Sequence, residues 1–400
     1  MGGMRAAPRA TEWARHLALV GITGTNGKTS TTDMAAALLG RIARPVARAT
    51  TLGYFLDGER QDVAAHYEGF ETTLRRGFEA GGRFAAVEYT SEALALGFAK
   101  AWPSRVAVFT NLTLDHSDAH GSPEHYLASK AQLFVHLPRG GHAILNGCDE
   151  NAQLIQEVVP RDVEVLRYGV ESRGSAWAPL DLAASSVAVT PHGTEAVLTS
   201  SRRFPGLPST LRLRAIGEIF VENALAALGS ALALGLDANE AVAALAEVPA
   251  PPGRFEIVQR SPHVVVDYAH TPDALQRSLV TARGLCRGQL WVVFGAGGNR
   301  DRAKRPLLGA AARAADRIVL TSDNPRHESP LSIMTEVAAG IGEHAGLELE
   351  VDRARAIRSV LARAGAEDWI VIAGKGHEQT QQQGDTIAPF SDVAIVLGRG

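Results

Sequence analysis

A chain of 400 residues exceeds what one typical core holds and is read as two domains, or three. It is 46% hydrophobic and 21% charged, and 40 basic against 43 acidic residues leave a net charge of -3, which supports neither nucleic acid nor an anionic membrane as partner. Cys148 and Cys286 form no paired motif, no run reaches membrane-spanning length, and the opening residues hold no apolar leader core; a cytoplasmic protein without disulfide framework or zinc site is expected.

Residues 1–16 read as a short extension, too few for a domain. Leu17–Ile22 predicts a strand, and Ser30–Gly40 a helix. Between them lies Gly24-Thr25-Asn26-Gly27-Lys28-Thr29. Strand, glycine turn, lysine-threonine and helix is the layout of a phosphate cradle: small residues let backbone N–H groups approach phosphates, and the helix N-terminus adds partial positive charge. Lys28 would reach the β/γ-phosphates and Thr29 a Mg²⁺ ion, with Ser30 opening the helix. The spacing is tighter than the usual motif, because Ile22 stands at its first glycine position. ATP, or another nucleoside triphosphate, is the expected ligand.

Further strands are predicted at Phe84–Glu88, Arg105–Thr110 and His142–Leu145, with helices at Thr73–Gly81, Pro123–Leu137 and Asn151–Val158. A β-rich patch follows at Val187–Thr190 and Glu195–Leu198, then two alanine-rich helices, Asn223–Leu234 and Ala238–Ala246. Val248–Arg254, rich in proline, reads as a linker between domains 17–250 and 251–400. Beyond it, strands at Val264–Asp267, Leu290–Phe294, Arg317–Thr321, Leu347–Val351 and Trp369–Ala373 alternate with helices at Pro272–Leu285, Arg305–Ala315, Leu331–Glu343 and Ala354–Ala364. The fold class is α/β: a P-loop mononucleotide-binding domain followed by a doubly wound, Rossmann-like domain.

Glu88 ends a strand where a P-loop domain places a Mg²⁺ carboxylate, although a strand-end glutamate alone reads as a solvated charge. The loop Thr110–Gly121 gathers Asp115, His116, Asp118 and His120, a concentration fitting metal or phosphate work without a zinc spacing. Lys130, mid-helix, reads locally as a surface lysine. In the second half, Asp267–Pro272, Phe294–Arg305, Thr321–Glu328 and Gly374–Glu378 are polar loops after strand C-termini. They are expected to gather on one sheet edge, facing the nucleotide domain.

Taken in order, Gly24–Thr29, Thr110–Gly121, Tyr126–Phe134, Asp267–Leu275, Phe294–Pro306, Asp323–Glu328 and Gly374–Glu378 resemble the Mur ligase family from about Leu17 onward. The likeness is nearest to its tripeptide-forming branch. The resemblance implies amide-bond formation in two steps: an acceptor carboxylate takes the γ-phosphoryl of ATP, and an amino acid's amine then displaces phosphate from the acyl phosphate. It implies Thr29 and Glu88 as ligands of one Mg²⁺, Lys130 as a carbamylated lysine for a second, and His116 near metal and phosphate. Asn223 matches an asparagine beside adenine, with Phe220 where the pattern has an earlier asparagine. Asp267, His270, Arg300, Lys304 and Arg305 match positions facing nucleotide and substrates. The tetrad Asp323-Asn324-Pro325-Arg326 goes with meso-diaminopimelate rather than lysine, since a guanidinium can fork onto the distal carboxylate. Arg300, Asn324, Arg326, Gly374 and Glu378 match that pocket.

The match departs from the family on the acceptor side. The 16 residues before Leu17 read as too few for the N-terminal uridine-nucleotide domain the resemblance implies, Glu92 stands for a histidine, and Phe98 or a neighbour for an arginine. Thr72 and Thr73 of the substrate motif are kept, but Leu74 follows them. A smaller acceptor, or one presented by a partner protein, is expected. Two other readings remain: a folylpolyglutamate- or cyanophycin-synthetase-like ligase, and a nucleotide-binding partner protein with little catalysis.

Overall fold

The computed structural model describes residues 7–113 and 122–399. The chain divides chiefly between Pro249 and Ala250 into two compact α/β units. The strands of the first are β1 (Ala18–Thr23), β2 (Val46–Thr50), β3 (Gly53–Leu56), β4 (Glu59–Arg60), β5 (Phe84–Glu88) and β6 (Val106–Phe109). They continue with β7 (His142–Asn146), β8 (Glu164–Val170), β9 (Leu182–Thr190), β10 (Gly193–Thr199) and β11 (Thr210–Leu213). They form one sheet in the order β11-β10-β9-β8-β7-β6-β1-β5-β2-β3-β4, parallel from β9 through β2. The central strands are apolar along their length because helices cover both faces, so neither side alternates with polar residues. Helix Glu218–Ala233 is buried along nearly its whole length, packed between helix Lys28–Ile42 and strands β7 and β8. Register sets Ile22 beside Glu88 and Thr23 beside Phe109, so the turns after β1, β5 and β6 share one edge.

The second unit holds β12 (Glu256–Arg260), β13 (His263–Asp267), β14 (Leu290–Phe294), β15 (Arg317–Leu320), β16 (Leu347–Leu349) and β17 (Trp369–Ala373), in the order β12-β13-β17-β14-β15-β16. A separate hairpin joins β18 (Thr380–Gln383) to β19 (Thr386–Pro389). Arg353 and Asp392, both fully buried, meet through two 2.8 Å hydrogen bonds, and Arg353 also donates to the Ala373 carbonyl at 2.9 Å. This pins the C-terminal helix Asp392–Val396 to the end of β17. No described helix is long and apolar enough to cross a membrane.

The α/β class and the alternation hold, and several elements differ. The helix expected at Thr73–Gly81 spans His66–Glu79; with Leu74 after the two threonines, nothing breaks the helix and they fall inside it. Strands β2, β3, β4, β8, β11 and β12 and the hairpin β18–β19 are additions: most carry no clean apolar alternation, and β11, which does, is only four residues long. In β2, for example, Arg48 interrupts the apolar run, and it is held by Asp33 and by the Phe55 ring at 3.9 Å.

Candidate active site

In the first unit the site begins where β1 turns into helix Lys28–Ile42. Gly24 and Gly27 sit at φ 151° and 86°, conformations that favour glycine. A Cβ on Gly24 would lie 1.9 Å from Thr110 Oγ1, and one on Gly27 would lie 2.3 Å from Asn223 Oδ1. The loop therefore runs directly against the end of β6 and against helix Glu218–Ala233. Gly27 offers no side-chain cap, so the N-terminus of a 15-residue helix points its partial positive charge at the turn, where an anion is favoured. The Asn26 amide N–H donates to Asn111 Oδ1 at 2.9 Å, while Thr110 Oγ1 and Asn111 Nδ2 donate to the Asn26 carbonyl at 2.7 and 3.1 Å. Thr25 and Ser30 are buried, and Thr25 Oγ1 lies 3.3 Å from the Tyr126 hydroxyl.

Two lysines converge on this loop. Lys28 Nζ donates to the carbonyls of Gly24 and Thr25 at 3.2 and 2.8 Å. Lys130 Nζ donates to the same Gly24 carbonyl at 2.7 Å and lies 4.2 Å from the Tyr126 ring centroid. At 1% exposure Lys130 is a core residue, which corrects its local reading as a surface lysine: helix Pro123–Val135 turns it inward onto the cradle.

Hard oxygen donors collect beside them. Thr29 Oγ1 donates to Glu88 Oε2 at 2.9 Å, and Thr51 meets the same oxygen through its N–H at 3.2 Å and its hydroxyl at 3.4 Å. The two hydroxyls lie 3.5 Å apart. One carboxylate with two hydroxyls at a phosphate loop is a donor set that fits Mg²⁺. Thr51 is absent from the sequence reading; its only signal is a hydroxyl just after a short strand that was itself unrecognised. Asp115, His116, Asp118 and His120 lie outside the described residues. Asn223 is buried, with Oδ1 lacking a hydrogen-bond partner, and it faces Gly27 of the phosphate loop; Phe220 is buried one turn earlier.

The acceptor-side positions sit elsewhere. Thr72 is half-buried, and Thr73 is fully buried in mid-helix with an unpartnered hydroxyl. Glu92 is exposed, while Phe98 is buried among Tyr67 and Phe70, at ring separations of 5.9 and 6.1 Å.

In the second unit, register brings Asp267, Phe294, Leu320 and Ala373 to one level, so the four polar loops share an edge as expected. They also touch one another. Tyr268 lies 4.6 Å from the His270 ring and 5.1 Å from that of His377, and His270 Nδ1 is 2.8 Å from the Tyr268 carbonyl. Arg254, read in the sequence only as the end of a linker, sets its guanidinium 4.4 Å from the Tyr268 ring centroid. Asp267 accepts from Ser278, and burial pushes its carboxyl above the ordinary range against the pull of that bond and of Arg254. Asn324 Nδ2 donates to Glu378 Oε2 at 2.9 Å. Gly374 passes so near Asp323 that a Cβ would lie 2.7 Å from Oδ2.

Arg326 Nη1 donates to the Gly298 carbonyl at 2.7 Å. A Cβ on Gly297 would lie 3.1 Å from Arg326 Nη1 and 3.6 Å from Arg300 Cγ, so the two arginines flank that glycine. Burial lowers the Arg326 guanidinium from its ordinary value, and the nearby Arg300 charge adds to this. Arg300 is exposed, and Lys304 is half-buried at the start of helix Lys304–Ala312. Arg305 departs from the substrate-facing role the resemblance implies. It is fully buried, donating to Glu328 at 2.8 and 2.9 Å, to Glu336 at 2.9 Å and to the Gly297 carbonyl at 3.2 Å. Its guanidinium is committed to holding the glycine loop from behind.

Comparison with known proteins identifies the family. The descriptions Mur ligase middle domain and Mur ligase, glutamate ligase domain match residues 22–231 and 253–376. The UDP-N-acetylmuramoyl-L-alanyl-D-glutamate--2,6-diaminopimelate ligase of Thermosynechococcus vestitus is 40% identical over 388 residues, covering 95% of this chain and 76% of that protein. Its counterpart in Geobacillus kaustophilus is 37% identical over 400 residues, covering 95% and 78%. A solved structure of a ligase of the same name superposes with a TM-score of 0.64 at 32% identity, covering 96% of this chain and 78% of the other.

Proposed function

This chain belongs to the Mur ligase family of ATP-dependent, ADP-forming amino-acid ligases, and from that premise we propose that it joins an amino acid with two charged ends, diaminopimelate first, to a carboxylate acceptor. A carboxylate oxygen of the acceptor attacks the γ-phosphorus of ATP, and ADP leaves. The amine of the amino acid then attacks the acyl carbon, loses a proton and expels inorganic phosphate. The first step needs charge neutralised on the transferring phosphoryl group and the attacking oxygen held in line. Lys28 and the positive N-terminal end of helix Lys28–Ile42 supply the first need. Thr29, Thr51 and Glu88 would hold Mg²⁺, which, when bound, screens the phosphate oxygens. The burial of Lys130 against Gly24 supports its assignment as a carbamylated lysine, a change that would exchange its positive charge for an anionic oxygen ligand.

The observation that carries the amine assignment is the pairing of cation and anion in one loop cluster. Arg326 and Arg300 suit a distal carboxylate, while Glu378 and Asp323 suit the ammonium beside it. His270, Asp267 and Lys304 are assigned to the nucleotide side, and Gly374 to the amine side. For the acceptor, a buried Phe98 and an exposed Glu92 leave no cation at those positions for an anionic acceptor such as a nucleotide diphosphate. We therefore favour a smaller acceptor, or one delivered by a partner protein, in the cytoplasm. The test is a mass-spectrometric screen for ATP-dependent condensation of diaminopimelate or lysine with carboxylates that include UDP-N-acetylmuramoyl-L-alanyl-D-glutamate and the free dipeptide. Ordinary turnover of the nucleotide conjugate would overturn the acceptor reading. Preference for lysine would overturn the amine reading.

A further inference from the structure

Lys375 has no role in the account so far, yet it is fully buried directly after β17. Its Nζ donates to Glu378 Oε2 at 2.7 Å and to Asn324 Oδ1 at 3.2 Å. A buried ammonium stays charged only where it is paired and hydrogen-bonded, so these two partners define its place. The hairpin β18–β19, beyond the segment that the family description matches, bonds the same tetrad from the other side. The Gln382 N–H donates to Asn324 Oδ1 at 3.0 Å, and Gln381 Nε2 donates to the Asp323 carbonyl at 2.6 Å. The Arg326 N–H donates to the Gln382 carbonyl at 3.1 Å, and its own carbonyl accepts from the Gly384 N–H at 2.6 Å. Arg326 sits at φ 50°, an unfavourable conformation for a side-chain-bearing residue, and bonds on both sides hold it there.

The geometry points to Lys375, seconded by the hairpin, as the positioning group that sets amine specificity; this rests on the amine assignment proposed above. Two donors on Asn324 Oδ1 fix the orientation of its amide. One Nδ2 hydrogen goes to Glu378, leaving the other to donate. Lys375 and Asn324 together occupy Glu378 Oε2, so Oε1, on a side chain 30% exposed, is left to accept from an ammonium. The pocket then presents donors from Asn324 and Arg326 beside an acceptor from Glu378. An amino acid whose far end carries both a carboxylate and an ammonium satisfies all of them. One bearing only an ammonium leaves the donors unpaired, which is the stronger form of discrimination.

The experiment compares Lys375→Met, Lys375→Arg and Gln381→Ala in the full chain, with meso-diaminopimelate and L-lysine as the two amines and thermal melting as the fold check. Lys375→Met should raise the diaminopimelate KM about 10- to 100-fold, leave the ATP KM within about twofold, and shrink the preference for diaminopimelate over lysine. Lys375→Arg should recover part of that preference, and Gln381→Ala should weaken it by about threefold. A folded Lys375→Met protein whose amine and ATP constants move together, or whose preference is unchanged, overturns the inference. If Lys375→Met does not fold, an unchanged preference in Gln381→Ala overturns it instead. Should the wild type prefer lysine, the amine assignment fails by itself. The positioning role is then read from the lysine KM, which must rise in Lys375→Met to sustain it.

Discussion

In the first unit the groups proposed to face the nucleotide come mostly from one short stretch, Gly24 to Ser30, and much of what they offer is backbone. In the second unit the groups proposed to face the amine come from three loops and are mostly side chains, Arg326 held by the Gly298 carbonyl and Glu378 by Lys375 and Asn324. The first arrangement suits a ligand whose shape never varies, since amides set by glycine conformation fit one phosphate chain. The second suits a ligand class that differs among relatives, since an arginine or an asparagine is exchanged more readily than a loop backbone. A loss in the first unit should therefore reduce all turnover, and a loss in the second should redistribute it among amines.

The sharpest break comes from Lys28→Ala, which should cut ATP turnover by at least about 1000-fold with the melting temperature unchanged, measured as ADP release. A folded variant retaining most of its turnover would mean that the cradle is not the reacting site. Lys130→Ala comes next, with a loss of about 100-fold that added bicarbonate or short carboxylic acids partly restore. Absence of any rescue would count against carbamylation. Arg326→Ala should raise the amine KM about 10- to 100-fold while the ATP KM stays within about twofold; an equal rise in both would undo the division of labour between the units.

The smallest effect concerns stability. Hydrogen bonding to Arg305 holds the Glu328 carboxyl at about 2, against an ordinary value of 4.5. A depressed carboxyl contributes stability above the unfolded value and loses it as pH falls through the folded one. Glu328→Gln should therefore flatten the acid side of the unfolding profile between about pH 4.5 and pH 2, followed by circular dichroism. An unchanged profile would mean that Arg305 does not depend on this partner.

The same contrast governs what could be read without coordinates. Gly24–Thr29 was legible because its chemistry is local: the strand before it, the helix after it and the glycines are contiguous. The Glu88 assignment followed from topology, since a strand end next to β1 has few places to go. Thr51 was not legible, because its value lies in a 3.4 Å approach to Glu88 from the end of β2, a neighbouring strand with weak apolar alternation. The burial of Lys130 was equally hidden: helix Pro123–Val135 has apolar residues on several sides, and only packing decides which face turns toward Gly24. Arg305 failed in the opposite direction. Its place in a basic run made it look substrate-facing, whereas Glu328 and Glu336, 23 and 31 residues away, capture it.

The central claim is that an acceptor carboxylate is activated by phosphorylation before the amine attacks. The most direct measurement supplies L-alanyl-D-glutamate and its UDP-N-acetylmuramoyl conjugate, each labelled with ¹⁸O in the free carboxylates, together with ATP, Mg²⁺ and diaminopimelate, and follows the label. The account predicts one ¹⁸O transferred to inorganic phosphate for every amide formed, with ATP converted only to ADP and that phosphate. Amide formation with unlabelled phosphate, or with release of AMP and pyrophosphate, would contradict it.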